Sequence, residues 1–146
     1  MTLDYTGGAT TTPSTPKTQT PSGKIEKVWL EHDVYKEGKR GMNVHVHFLI
    51  YNMKGAKGYI EAIFHPLDFH KPVTNDSFIP KYDNSEYSDY TLFMSYSMLD
   101  GAINFNERTG NSDLNRRGNF ETKIQVEVWG GGKALDTFDI YFTYKK

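Results

Sequence analysis

The stretch NFETKIQVEVWGGGKALDTFDIYFTY, residues 119–144, decides the fold class of this chain. Its first half alternates apolar residues with charged or amide residues, and a period of two is typical of a strand with one buried face. Its second half repeats the alternation, and the GGGK segment between them predicts a hairpin turn. The predicted inward side chains are Phe120, Thr122, Ile124, Val126, Val128, Phe138, Ile140, Phe142 and Tyr144.

The same period of two recurs upstream, and no segment of ten or more residues has the 3.6-residue period of a helix. The turn sequences KEGKRG and MKGAKG separate the early segments. We therefore predict an all-β chain that forms an antiparallel two-sheet β-sandwich, immunoglobulin-like or C2-like, with about seven strands. The further predicted strands are KIEKVWLEH, NVHVHFLIY, GYIEAIF and DYTLFMSYSML, at residues 24–32, 43–51, 58–64 and 89–99.

Residues 6–23, TGGATTTPSTPKTQTPSG, contain threonine, proline, glycine and serine with almost no apolar side chains. Such a composition cannot repay the entropy of ordering, so residues 1–23 are predicted to be a disordered Thr/Pro-rich tether and residues 24–146 the folded domain. A tether of this kind joins modules, which predicts that the domain sits at the C-terminal end of a larger protein. The Thr/Pro tether also favours an extracytoplasmic location.

Composition excludes several classes of function. The chain of 146 residues carries 17 basic and 18 acidic residues, a net charge of -1, and has no basic block, so nucleic acid is not an expected partner. It contains no cysteine, which excludes thiolate catalysis and disulfide bonds. No apolar run approaches the roughly 18–20 residues needed to span a bilayer, so no membrane span is predicted in this segment.

Three segments, GMNVHVHFLIYNMKG, DYTLFMSYSML and the closing IYFTY, resemble a family of β-sandwich domains of unknown function. Domains of that family lie at the C-terminal end of modular microbial proteins. The resemblance covers residues 25–146 and omits the tether. Because the shared motifs are structural, the resemblance implies the fold and the modular context and implies no activity.

Two histidines, His45 and His47, lie one residue apart in the second predicted strand. Alternate residues of a strand project to the same side with Cα atoms about 6.5–7 Å apart, from which two imidazoles can reach one zinc ion. A third ligand is expected from the next strand in sequence, taken to be its neighbour, where His65 and His70 follow. The alternative is that the histidines are polar residues on the solvated face of a strand.

Aromatic residues make up 14% of the chain, more than a core of this size requires. Exposed flat rings with nearby amides and carboxylates are surfaces on which a sugar ring stacks, so a carbohydrate-binding platform is one interpretation. Rings at strand ends that cover the edge of the core are the other. The candidate platform residues, which lie out of phase with the inward sets or in the segment KYDNSEYSDY, are Trp29, Trp129, Tyr82, Tyr87 and Tyr90.

The segment KYDNSEYSDY, residues 81–90, also collects oxygen donors that calcium would accept, but it lacks the EF-hand spacing and is predicted to be a solvated loop. The chain contains no nucleophile elbow, zinc-protease motif or phosphate-binding loop, so no catalytic residue and no cofactor is predicted. The sequence favours a non-catalytic accessory or interaction module with an unknown protein or glycan partner. The alternatives are a carbohydrate-binding module and a metal-binding domain.

Overall fold

The computed structural model of the chain describes residues 20–65, 71–108 and 120–144. Seven strands and one helix follow one another along these parts of the chain. Their bounds are β1 Ser22–Lys36, β2 Lys39–Tyr51, β3 Gly58–His65, β4 Val73–Phe78, β5 Asn84–Ser95, α1 Tyr96–Arg108, β6 Phe120–Gly130 and β7 Lys133–Tyr144.

The strands form two antiparallel sheets, one of three strands in the order β1-β2-β5 and one of four in the order β4-β3-β6-β7. The prediction of an all-β two-sheet sandwich with about seven strands is confirmed. The choice between an immunoglobulin-like and a C2-like sandwich stays a prediction. The predicted tether, residues 1–23, lies almost entirely outside the described residues, and β1 begins at Ser22, two residues before the predicted start of the domain.

The core lies between the sheets and is made by every second residue of the central strands, because successive side chains of a strand point to opposite faces. The predicted inward residues of β6 that are described, Thr122, Ile124, Val126 and Val128, are buried, and Thr122 is the single buried polar residue among the described side chains. The side chain of Phe120 is not among those described. The predicted inward residues of β7 are half-buried except for Tyr144, which is buried. The buried residues of the central strands are Met42, Val44, Val46, Phe48, Ile50, Ile60, Ala62, Phe64, Ile124, Val126 and Val128.

One turn and one close contact depend on glycine. Gly131 and Gly132 have φ angles of +61° and +80°, a left-handed backbone that favours glycine, and they join β6 to β7 as the GGGK segment predicts. At Gly41, a Cβ atom would lie 2.3 Å from the carbonyl oxygen of Met94 on β5. Glycine at this position therefore allows the start of β2 to pair with the end of β5.

The segment 81–90, predicted to be a loop, is mostly strand. β5 begins at Asn84, and an extra residue interrupts its pairing with β2, so that Val46 pairs with Tyr90 while Phe48 pairs with Tyr87. A bulge of this kind shifts the alternation by one position. Tyr87 and Tyr90 consequently lie on the same face of the strand although they are three residues apart, which a strict period of two does not predict.

The largest departure from the predicted secondary structure is α1, which has 13 residues where the sequence pattern predicts no helix and extends a strand over residues 96–99. Its N-terminus is capped by Ser95, whose Oγ accepts a hydrogen bond of 3.3 Å from the backbone N–H of Met98. The helix packs on the end of the sandwich through its buried residues Leu99, Ala102 and Ile103. No helix within the described parts of the chain has the length and apolarity needed to cross a membrane.

A Phe48→Ala substitution tests the core. Phe48 is fully buried and its ring lies 5.4 Å from that of Phe78 and 4.8 Å from that of Tyr87, between centroids. Because truncation leaves a cavity in contact with both sheets, we expect the free energy of unfolding to fall by about 3–5 kcal/mol. Urea denaturation followed by circular dichroism measures this change.

The neighbouring His47, which projects to the outer face of the same strand, provides the control. His47→Ala is expected to change the free energy of unfolding by less than about 1 kcal/mol, as is usual for surface substitutions. Equal losses for the two variants would contradict the assignment of the core face.

Candidate functional site

The outer face of the three-stranded sheet carries a cluster around His45, which we call the His45 cluster. The Nδ1 atom of His45 lies 2.8 Å from Oδ1 of Asp89, and its Nε2 atom lies 2.9 Å from Oε1 of Glu31. The imidazole also stacks on the indole of Trp29, with ring centroids 5.1 Å apart and planes 7° apart. Thr91 completes the cluster by donating its hydroxyl to Asp89 at 2.9 Å.

The two carboxylates favour the protonated imidazole. Partial burial lowers the pKa of His45, but the hydrogen bonds with Asp89 and Glu31 and their negative charges outweigh burial, so that the pKa is raised overall. The hydrogen bond from His45 in turn lowers the pKa of Glu31. For Asp89, the effect of burial is opposed by the hydrogen bonds with His45 and Thr91, and its pKa is also lowered. The cluster is therefore a structural charge network with both ring nitrogens of His45 engaged.

Of the four histidines named as candidate metal ligands, the three that the structure describes do not form one site. His47 shares the outer face with His45, but its Nε2 atom lies 2.7 Å from Oε2 of Glu86. His65 lies on β3, in the other sheet, and its buried Nε2 atom has no hydrogen-bond partner within the described structure. His70 lies outside the described residues.

The expected adjacency of the strands that carry these histidines is wrong. β2 pairs with β1 and β5, whereas β3 pairs with β4 and β6, so the chain crosses from one sheet to the other between His47 and His65. Within residues 20–65, 71–108 and 120–144, no group of three or more histidine, aspartate or glutamate side chains is placed to hold a metal ion.

The five aromatic residues named as a candidate platform also lie on different surfaces of the fold. Trp29 and Trp129 lie on the outer faces of different sheets, and both are out of phase with the core as the sequence indicated. Tyr87 and Tyr90 face inward, with ring centroids 5.9 Å apart, and the Tyr90 hydroxyl donates to Asp76 at 2.8 Å. Tyr82 is 67% exposed in the turn before β5. The five rings therefore do not form one flat row.

Two aromatic residues lie together where β3 pairs with β6. Tyr59, which is 49% exposed, lies directly opposite Trp129 across the two central strands of the four-stranded sheet. The two rings border a cleft of about 470 Å³, which we call the Trp129 cleft. Its lining residues are Lys57, Tyr59, Glu61, Asn75, Trp129 and Gly130, Gly131 and Gly132 of the hairpin turn.

Glu61 lines the cleft, and Glu127, which is not one of the lining residues, lies directly opposite Glu61 in the register. Partial burial raises the pKa of Glu61, and the hydrogen bond with Glu127 and its negative charge raise it further. The indole N–H of Trp129 donates to Oε1 of Glu127 at 3.0 Å, and the Gln125 amide donates to Oε2 at 2.8 Å. The ring of Trp129 is thus tied to the carboxyl pair.

Sequence reasoning missed Tyr59, Glu61 and Glu127 as site residues. Each appears in its strand as an ordinary outward residue of the alternation. The juxtaposition depends on the register of β3 against β6, which the sequence does not show because the two strands are separated by more than 50 residues of chain, from His65 to Phe120. The one indication of this site in the sequence is that Trp129 and Glu127 both occupy outward positions of the strand predicted from residues 119–130.

No protein-family model and no curated protein matches the chain. Solved structures do resemble it. A protein from Akkermansia muciniphila aligns with a TM-score of 0.46 and 13% identity over 82% of this chain and 69% of its own chain. A protein from Archaeoglobus fulgidus aligns with a TM-score of 0.37 and 13% identity over 84% of this chain and 98% of its own. Similarity at this level identifies neither a family nor an activity.

The His45 cluster predicts a pH dependence of stability. Folding raises the pKa of His45, so the cluster's contribution to the free energy of unfolding is complete below the ordinary imidazole pKa of 6.5. This contribution is lost as the pH rises through the higher pKa of the folded protein. We expect His45→Gln to abolish the change in the free energy of unfolding that the wild-type protein shows over this pH range. Urea unfolding from about pH 5 to about pH 8 measures it.

Asp89→Asn provides a second variant, since it keeps His45 and removes one of its two charged partners. It is expected to reduce the same pH-dependent contribution without removing it, because Glu31 still accepts from Nε2. A difference between wild type and His45→Gln that stays constant across the pH range would contradict the role of the cluster.

Proposed function

We propose that this domain is a non-catalytic binding module of a larger microbial protein and that it holds a carbohydrate ligand in the Trp129 cleft. The observation that carries the proposal is the pairing of Trp129 with Tyr59 on an outer sheet face, beside hydrogen-bonding groups. A sugar ring presents an apolar C–H face, which packs on an aromatic ring, and a rim of hydroxyls, which need acceptors and donors. The cleft offers both kinds of contact.

The position of the cleft supports a binding role. Trp129 and Tyr59 stand on the two central strands of the larger sheet, whose inner faces are packed in the core. Side chains on central strands are held more rigidly than side chains on loops, so little conformational entropy is lost when a ligand binds. The Nε1–H bond to Glu127 further restricts the indole.

The carboxyl pair supports binding rather than cleavage of a sugar. Two carboxyl groups that cleave a glycosidic bond stand about 5–5.5 Å apart or further, with the bond between them. Glu61 and Glu127 instead project from the same face of two adjacent strands, directly opposite one another, so they do not flank a bond from two sides. Groups arranged in this way serve to accept hydrogen bonds from a ligand.

The modular context rests on the Thr/Pro-rich residues that precede β1. A linker of this composition would let a binding module reach its ligand while an attached domain acts nearby, and the gain would be a higher effective concentration of that domain at the ligand. We extend the proposal to an extracytoplasmic location, where polymeric glycans are available.

Substitution of the two tryptophans tests the site. The wild-type domain is expected to bind members of a glycan array, and Trp129→Ala to weaken the binding of the best glycan at least about tenfold, which is about 1.4 kcal/mol. Isothermal titration calorimetry with that glycan gives the dissociation constants. The loss follows from removal of the stacking surface.

Trp29→Ala is the matched control, because Trp29 lies on the outer face of the other sheet. It is expected to bind with wild-type affinity, and circular dichroism and melting temperature check that both variants fold. An array on which no glycan binds, or binding that is unchanged in Trp129→Ala, would overturn the carbohydrate proposal.

A further inference from the structure

The like-charged pair in the Trp129 cleft is unfavourable for the sheet itself. Glu61 and Glu127 face one another on the two central strands, and like charges directly opposite one another destabilise a sheet. A neutral residue at either position would pair better with the other strand. The fold therefore does not account for the pair, whereas a ligand with a complementary charge would.

The contacts of the two carboxyl groups indicate which kind of ligand group would fit beside them. Both oxygens of Glu127 accept N–H donors, from Trp129 and from Gln125, at 3.0 and 2.8 Å. Glu61 lies directly opposite Glu127, and its partial burial and the negative charge of Glu127 raise its pKa. A positively charged donor placed between the two side chains would bond to both carboxylates and offset their repulsion.

The aromatic walls suit the same kind of ligand. A cation within about 6 Å of a tryptophan or tyrosine ring centre is attracted by the negative face of the ring. One such cation is already present at the cleft, since the Lys57 ammonium lies 5.4 Å from the ring centroid of Tyr59. The Trp129 side of the cleft, next to the carboxyl pair, offers the same attraction.

Resting on the carbohydrate-binding function proposed above, we infer that the Trp129 cleft selects amino sugars. Its ligand is a glycan with a free, protonated amino group, whose ammonium lies between Glu61 and Glu127 while the sugar ring packs on Trp129. N-acetylation removes this charge and adds bulk, and replacement of the amine by a hydroxyl removes the charge alone. Both changes weaken binding.

Three tetrasaccharides of equal length and linkage test the inference: chitosan tetraose with free amines, its N-acetylated counterpart chitin tetraose, and cellotetraose with hydroxyls. At about pH 6, which lies below the pKa of a chitosan amine, most of the ligand amines are protonated during the calorimetric titration. We expect the chitosan tetraose to bind at least about tenfold more tightly than cellotetraose, which is a difference of about 1.4 kcal/mol.

Glu61→Gln keeps the shape of the side chain and removes its charge. It is expected to reduce the preference for chitosan tetraose over cellotetraose, measured as the ratio of their dissociation constants in the variant, to about twofold, or about 0.4 kcal/mol. Glu121→Gln is the control, because Glu121 lies on β6 at the far end from the cleft and its carboxylate accepts from Thr143 at 2.9 Å. This variant is expected to keep the wild-type preference.

The possible results separate this inference from the function on which it rests. Equal affinities for the three ligands, or a preference for the amine that survives in Glu61→Gln, would overturn the selection of amino sugars and leave carbohydrate binding intact. Absence of binding to all three ligands and to the glycan array would overturn both. Loss of the amine preference in Glu121→Gln would show that the preference arises from general charge attraction, and it would also overturn the selection of amino sugars by the cleft.

Discussion

The packing of Phe48 between the two sheets is the contact on which the rest of this structure depends. Its ring is fully buried and meets Phe78 of the four-stranded sheet and Tyr87 of its own sheet. Tyr90 joins the same group of rings, and its hydroxyl bonds to Asp76 on β4. These contacts hold the edge strands β4 and β5 side by side, since no backbone ladder joins the two sheets there.

The bulge in β5 connects this aromatic packing to the outer surface. The extra residue between Tyr87 and Tyr90 lets both rings face Phe48, and it presents Asp89 to the opposite side. There Asp89 bonds to His45, which forms the His45 cluster. One irregularity of pairing thus serves two faces of the same sheet, and its removal would change the core and the charge network together.

The two outer faces differ in what the fold requires of them. In the His45 cluster, an imidazole lies between two carboxylates, and each of its nitrogens is paired with a group of opposite charge when the ring is protonated. At the Trp129 cleft, Glu61 lies directly opposite Glu127 beside two aromatic rings, and burial and the charge of Glu127 raise the pKa of Glu61. Local rules of sheet pairing are satisfied in the first case and violated in the second, and violations of this kind mark functional sites.

Some errors of the sequence analysis have local causes. The helix α1 was missed because Gly101 and two asparagines, at 104 and 106, interrupt a short apolar pattern, and its stability comes from packing on the sandwich and not from helix propensity. Only one of the six residues of β4, Phe78, is buried, so the segment lacks the alternation of apolar and polar residues that predicts a strand. Edge strands of this kind form because a neighbouring strand supplies their hydrogen bonds.

The sequence by itself determined the fold class, the inward face of each central strand and the hairpin at 130–133. Alternation and turn chemistry are local properties, so they can be seen in a few residues of chain. Only the tertiary structure decided that β2 and β3 belong to different sheets, which separates His45 and His47 from His65, and that Tyr59 and Glu61 meet Trp129 and Glu127. Strand pairing and register are set by packing between distant segments, and every residue of an outward face satisfies the same alternation whichever neighbour it receives.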